Sequence, residues 1–153
     1  MEPIVVIIQA RMGSTRLPGK ILLDVEGKTV LERVVERTRL AKTIGRVVVA
    51  IPDDASNDEL AKFCEDKGIE FFRGSESDVL DRYYQAAKSV HAAHVARITS
   101  DCPLIDPKVI DHVANEYRRR GSQYISNGRM ESTYPDGLDV EIFLYLLIHA
   151  ANC

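Results

Sequence analysis

The chain has 153 residues, 45% of them hydrophobic, and a formal net charge of -3. That length suits one domain able to bury a core of its own, and the slight acidity gives no reason to expect a general nucleic-acid binder, which is usually basic. Three cysteines, an odd count without paired spacing, fit a reducing, cytoplasmic compartment better than a disulfide framework.

The first apolar run, Ile4 to Ile8, reads as a fully buried parallel strand. No basic region precedes it, so no signal peptide is expected. Thr29-Val30-Leu31-Glu32 has the form of a capping box, and Val30, Leu31, Val34 and Val35 follow at helical spacing. Gly45 breaks that pattern, and Arg46 to Ile51 reads as a second buried strand. Ser56 with Glu59 is expected to open the next helix, which Gly68 should end, as glycine does at a C-terminal cap. Ile69 to Phe72 makes a third strand, and Ser77 should begin a helix carrying Val79, Leu80, Tyr83, Tyr84 and Ala87.

His94 to Ile98 is the fourth strand. Asp106 before Pro107 combines an N-cap with proline at the first helical position, and Gly121 marks that helix's end. Gln123 to Ile125 and Leu138 to Phe143 should be strands, with a short apolar helix after them. The apolar stretch from Ile142 to Ala151 is too short to span a bilayer. The alternation implies right-handed crossovers, an α/β fold and a mainly parallel sheet. Its ligand crevice should lie where the crossovers change direction, between the first and fourth strands. Residues 9–28, 52–56, 73–77 and 99–106 form the loops at that edge.

The loop after the first strand reads Gln9-Ala10-Arg11-Met12-Gly13-Ser14-Thr15-Arg16-Leu17-Pro18-Gly19-Lys20. Glycines that let backbone approach a ligand, together with Arg11, Arg16 and Lys20, suit a polyphosphate. It is not a P-loop: five residues separate Gly13 from Gly19-Lys20, and Ile21 follows where Ser or Thr belongs. By itself Asp101 reads as a turn aspartate, and Arg16 either as a phosphate contact or as a partner of Asp24. Ser75 or Ser77 could simply cap the helix that follows. Cys102 has no histidine partner that would make it a nucleophile, and His91 and His94 do not share a helical face.

This loop resembles the signature of sugar nucleotidyltransferases that activate acidic sugars. The resemblance is strongest to the cytidylyltransferase-like family of spore-coat polysaccharide biosynthesis, related to the acylneuraminate and Kdo cytidylyltransferases. It continues through Arg73-Gly74-Ser75-Glu76-Ser77-Asp78-Val79-Leu80-Asp81-Arg82-Tyr83, Thr99-Ser100-Asp101-Cys102-Pro103-Leu104-Ile105-Asp106 and Tyr134-Pro135-Asp136-Gly137-Leu138-Asp139-Val140-Glu141. The resemblance implies a three-layer, Rossmann-like nucleotide-diphospho-sugar transferase fold, here over residues 1–153 as a single domain with its C-terminal part missing. It implies transfer of CMP from CTP to an acidic sugar with release of pyrophosphate, and Mg²⁺ as cofactor held by Asp101 and Asp139. Arg11, Lys20 and Asp101 correspond to catalytic positions. Ala10, Arg11, Gly13, Ser14, Arg16, Lys20, Arg73, Ser75, Thr99 and Ser100 correspond to nucleotide contacts, with Asp78 in the same loop as Arg73 and Ser75. Asn127 and Arg129 fall in the loop where an acceptor sugar would bind.

The implied partners are CTP and the sugar, with neither nucleic acid nor membrane, and a homodimer in the family pattern. Leu144 to Cys153 departs from that pattern, which leaves open a truncated member, a fragment and a natural short form. A glycosyltransferase of related fold and a non-catalytic nucleotide-binding or interaction module are the competing functions.

Overall fold

The apolar run after Pro3 forms β1 (Ile4–Gln9), which lies inside a six-stranded sheet. The computed structural model describes residues 2–14, 17–128 and 134–151. After the signature loop the chain makes a short 3-10 turn, Lys20–Leu22, and a two-residue hairpin of β2 (Asp24–Val25) and β3 (Lys28–Thr29). Helix α1 (Val30–Arg39) follows directly. Its capping box is present: the Thr29 amide donates to Glu32 Oε2 at 2.8 Å, and the Glu32 amide donates to Thr29 Oγ1 at 3.2 Å.

Helix α1 ends at Arg39, before Gly45, and β4 (Ile44–Pro52) takes Gly45 in as its second residue. A Cβ at Gly45 would lie 2.4 Å from Pro3 Cβ, so this glycine permits a close chain crossing and is not a breaker. Helix α2 (Asp58–Asp66) opens differently from the expected Ser56–Glu59 box. Asp54 caps a 3-10 turn over Ala55–Asn57, and the Ser56 hydroxyl is a partner of the Asp54 carboxylate. β5 is Phe71–Gly74. Helix α3 (Val79–Ser89) starts at Asp78, not Ser77, because the Asp78 carboxylate accepts from the Asp81 amide at 2.9 Å. In both corrections an aspartate outcompetes a neighbouring serine for the same capping task.

β6 (His94–Thr99) leads to α4 (Pro107–Arg120), which has the expected Asp106 cap, proline start and Gly121 end. β7 (Tyr124–Ser126), β8 (Glu141–Leu144) and α5 (Tyr145–Ala151) complete the chain order.

The strand order is β5-β4-β1-β6-β8-β7. β1, β4, β5 and β6 are parallel, while β8 is antiparallel to both β6 and β7. Ile4, Val6 and Ile8 face a core built with α1, α2 and α4, whereas Val5 and Ile7 face one built with α3 and α5. Period-two alternation in a strand covered on both sides thus produces three layers. Each fully buried isoleucine or valine contributes about 1.5–3 kcal/mol of transfer free energy, so β1 is held firmly from both faces. The chain turns outward in opposite directions from β1 and β6, leaving a crevice beyond their carboxyl ends.

Candidate active site

The signature loop leaves β1 with the Ala10 amide bonded to the Ala50 carbonyl at 3.0 Å, extending the parallel ladder by one residue. Ala10 itself is buried among core residues. The loop is then tied at two points. Met12 donates its amide to Asn57 Oδ1 at 2.8 Å, and Gly19 donates to the Met12 carbonyl at 2.9 Å. Gly19 adopts φ 68°, a left-handed conformation that costs glycine little. The chain turns there into Lys20–Leu22, whose Ile21 is buried. Lys20 is therefore presented from an anchored backbone.

A cleft of about 350 Å³ lies at this edge. Its lining includes Arg11, Gly13, Ser14 and Lys20 from the signature loop, and Thr99, Ser100 and Asp101 from the end of β6. Sequence reasoning expected all seven. It missed Gln9 and Arg97, which also line the cleft. Gln9 is in register with Thr99 across the β1–β6 boundary, and Arg97 pairs with Glu141 of β8 at 3.1 Å. The available signal was their phase. Gln9, Arg97 and Thr99 are polar positions in otherwise apolar strands, continuing the alternation of Val5, Ile7 and Val95.

Lys20 Nζ donates to Asp101 Oδ2 at 2.8 Å across the cleft. That hydrogen bond is the largest influence holding the Asp101 carboxyl below its ordinary range, while partial burial acts the other way. Cys102 follows, its sulfur 3.2 Å from Thr99 Oγ1 and 3.8 Å from Asp101 Oδ1. Burial pushes the Cys102 thiol up, opposed by the Thr99 hydroxyl and reinforced by the charges of Asp101 and Asp139. A neutral thiol is a poor nucleophile.

Asp139 approaches the same region from the segment just before β8, since the strand expected over Leu138–Phe143 begins only at Glu141. Arg97 opposes Glu141 where the antiparallel ladder ends, and the Asp139 charge, two residues earlier, reaches Cys102. A Cβ on Gly128 would lie 2.9 Å from Asp139 Oδ1, so the missing side chain at Gly128 makes room for the carboxylate. A Cβ on Gly137 would come 3.8 Å from Cys102 Sγ, which brings the Asp139 segment against the Asp101 segment. Among the described residues no cluster of three or more His, Cys, Asp or Glu side chains could hold a metal. Two carboxylates nevertheless fit Mg²⁺, which takes one or two from a protein and completes its shell with phosphate oxygens and water.

Other expected site residues are engaged elsewhere. Arg73 Nη1 pairs with Asp58 at 2.7 Å and its Nη2 donates to the Asp54 carbonyl at 2.9 Å, bracing the β4–α2 turn. Ser75 Oγ accepts from the Asp78 amide at 3.0 Å, and the Ser75 carbonyl is bonded by Arg82, a side chain only 1% exposed. Asn127 Oδ1 accepts from the Val140 amide at 2.7 Å, while its Nδ2 donates to the Leu138 carbonyl at 2.9 Å. Asn127 thereby fixes the segment that carries Asp139. Arg16 and Arg129 lie outside the described residues.

A cationic loop and a strand-end aspartate meet where the crossovers reverse, in an α/β protein of the nucleotide-sugar transferase fold. The sequence profile of the family described as cytidylyltransferase matches residues 5–134, and the chain belongs to that family. It is 38% identical over 128 residues to the spore coat polysaccharide biosynthesis protein SpsF of Bacillus subtilis, covering 81% of this chain and 53% of that protein. It is 37% identical over 120 residues to the 3-deoxy-manno-octulosonate cytidylyltransferase of Aeromonas salmonicida, covering 72% of this chain and 44% of that one. The solved structure of a cytidylyltransferase from Leptospira borgpetersenii superposes with a TM-score of 0.91 at 34% identity, over 99% of this chain and 64% of that one. The chain spans about half the length of the curated relatives it matches. Among the described residues no helix is long and apolar enough to cross a membrane.

Proposed function

We propose that residues 1–153 act as one nucleotidyltransferase domain that transfers CMP from CTP to an acidic sugar, releasing pyrophosphate, in surface polysaccharide synthesis in the cytoplasm. The observation that carries this reading is the meeting of Arg11, Lys20 and Asp101 in one cleft of a chain in the cytidylyltransferase family. The kinship with a 3-deoxy-manno-octulosonate cytidylyltransferase supports a sugar acid as acceptor.

In this reading a sugar hydroxyl attacks the α-phosphorus while pyrophosphate leaves. Positioning and charge neutralisation do most of the work, since no covalent enzyme intermediate is needed. Arg11 and Lys20 neutralise the phosphates, with the amides near Gly13 and Ser14 adding donors and Thr99 and Ser100 lining the nucleotide side. Arg73 and Ser75 serve the nucleotide side and Asn127 the acceptor side through the loops and segment they brace, with Arg16 added to the nucleotide side and Arg129 to the acceptor side. Asp101 and Asp139 would hold Mg²⁺, which when bound supplies positive charge to the phosphate oxygens.

The test is pyrophosphate release with each nucleoside triphosphate against a panel of acidic and neutral sugars, with calorimetric binding alongside. CTP-dependent release with a sugar acid supports the proposal. Release that prefers another triphosphate overturns the cytidylyl assignment. CTP binding without product would instead identify a nucleotide-binding module.

A further inference from the structure

We infer that Lys20 is a built-in occupant of the metal position: in the nucleotide-free protein its ammonium closes Asp101 to divalent cations, and an incoming triphosphate draws it away. This deepens the proposed function and rests on the roles given there to Lys20 and Asp101. The Lys20 ammonium lies 2.8 Å from Asp101 Oδ2 and so occupies one of the two carboxylate oxygens open to a metal. Asp101 Oδ1 faces the weakly interacting sulfur of Cys102 at 3.8 Å. Among the described residues Lys20 is the cation paired with Asp101, and Asp139 has no ion-pair partner.

A divalent cation ligated at about 2.1 Å to the oxygen that keeps its ammonium would sit within roughly 5 Å of that second positive charge, where the two repel. One cation must yield. The Lys20 backbone cannot do so easily. Its 3-10 turn is closed by the Leu22 amide on Gly19 at 2.9 Å and by the Leu23 amide on Lys20 at 3.2 Å, and Ile21 is buried. The side chain can, because a lysine is a compact charge on a flexible four-carbon stem with rotatable donors. A triphosphate in the cleft offers it a more highly charged acceptor, and the vacated carboxylate then takes the metal. Nucleotide and metal are thereby coupled through one side chain, and coupling of binding free energies is reciprocal.

The experiment measures Mn²⁺ binding to the full, nucleotide-free chain by the loss of the free-ion paramagnetic resonance signal. Lys20→Met should bind Mn²⁺ about tenfold more tightly than the wild type, while Lys20→Arg, which keeps the charge, should stay near the wild type. Adding Asp101→Asn to Lys20→Met should remove the gain. Equal affinity in wild type and a folded Lys20→Met variant overturns the inference, and so does a gain that survives Asp101→Asn. These outcomes are separate from the catalytic assay. A protein that transfers no CMP can still show the Mn²⁺ gain, and a failed gate leaves CMP transfer by the wild type measurable.

Discussion

Replacing Lys20 by alanine should weaken CTP binding about tenfold in metal-free buffer. A charge-assisted hydrogen bond to phosphate contributes about 1.5–3 kcal/mol. Against it stands the loss of the Asp101 pair when Lys20 turns to the ligand. That pair is open to solvent, with side chains 37% and 46% exposed, so its worth is only about 0–1 kcal/mol. The balance is about 0.5–3 kcal/mol, with a centre of ~1.7 kcal/mol that corresponds to a roughly tenfold to twentyfold change in Kd. Removing the lysine also leaves Asp101 uncompensated beside the triphosphate, which increases the loss. Calorimetric titration of CTP in EDTA measures it, with circular dichroism to confirm the fold. Lys62→Ala is the control for net charge, since Lys62 pairs with Asp66 on α2. A twofold change or less in a folded Lys20→Ala protein would refute the phosphate role. Raising the salt should weaken wild-type binding more than the variant's, because one screened charge contact has gone.

Three further outcomes follow from packing and ionisation. Gly74→Ala should lower stability by about 1–3 kcal/mol, read as a reduced melting temperature, because the new Cβ would sit 2.9 Å from Phe72 Cε1 and 3.3 Å from Arg82 Cγ. Asp111 joins α4 to the start of β4 by accepting from the amides of Lys42 and Thr43 and from the Thr43 hydroxyl. Burial pushes its carboxyl up, but those donors hold it below the ordinary value. The stabilisation is therefore complete above the usual carboxylate pKa near ~3.9 and fades as pH falls through the lower folded-state value. Urea unfolding of Asp111→Ala should show a loss of about 1–3 kcal/mol at pH 7, shrinking in strong acid; a loss independent of pH would contradict the assignment. Burial pushes the Cys64 thiol up to about 12, so iodoacetamide at pH 8 should leave Cys64 unmodified until the protein unfolds, as peptide mapping would show.

The elements that were legible from sequence carry their instructions locally. The Thr29–Glu32 box and the Asp106-Pro107 start each lie within four residues, and each appears where expected. The helix starts near Asp54 and Asp78 were misplaced because serine and aspartate perform the same capping chemistry, and only the folded turn selects between them. The β2–β3 hairpin was missed because two residues per strand are too few to show a period. The direction of β8 was also hidden, since alternation does not record whether a neighbour runs parallel. In the site, loop charges announced themselves through their spacing around glycines. Arg97 did not, because its phase in the strand with Val95 and Thr99 names a face of the sheet but not whether that face is covered or opens into a cleft.

The tether at Asn57 has a consequence for reading mutants. Arg73 holds the Asp54 carbonyl, Asp54 Oδ2 accepts from Asn57 Nδ2 at 2.7 Å, and Asn57 Oδ1 accepts from the Met12 amide. These three links form a mechanical train from the end of β5 to the signature loop. Loss of nucleotide affinity on replacing Arg73 is therefore ambiguous between a lost ligand contact and a loosened loop. A double-mutant cycle separates the two, because only transmission through the train makes the effect of Arg73→Ala shrink when Asn57 is already alanine. A ligand contact made directly by Arg73 would instead leave the two effects additive.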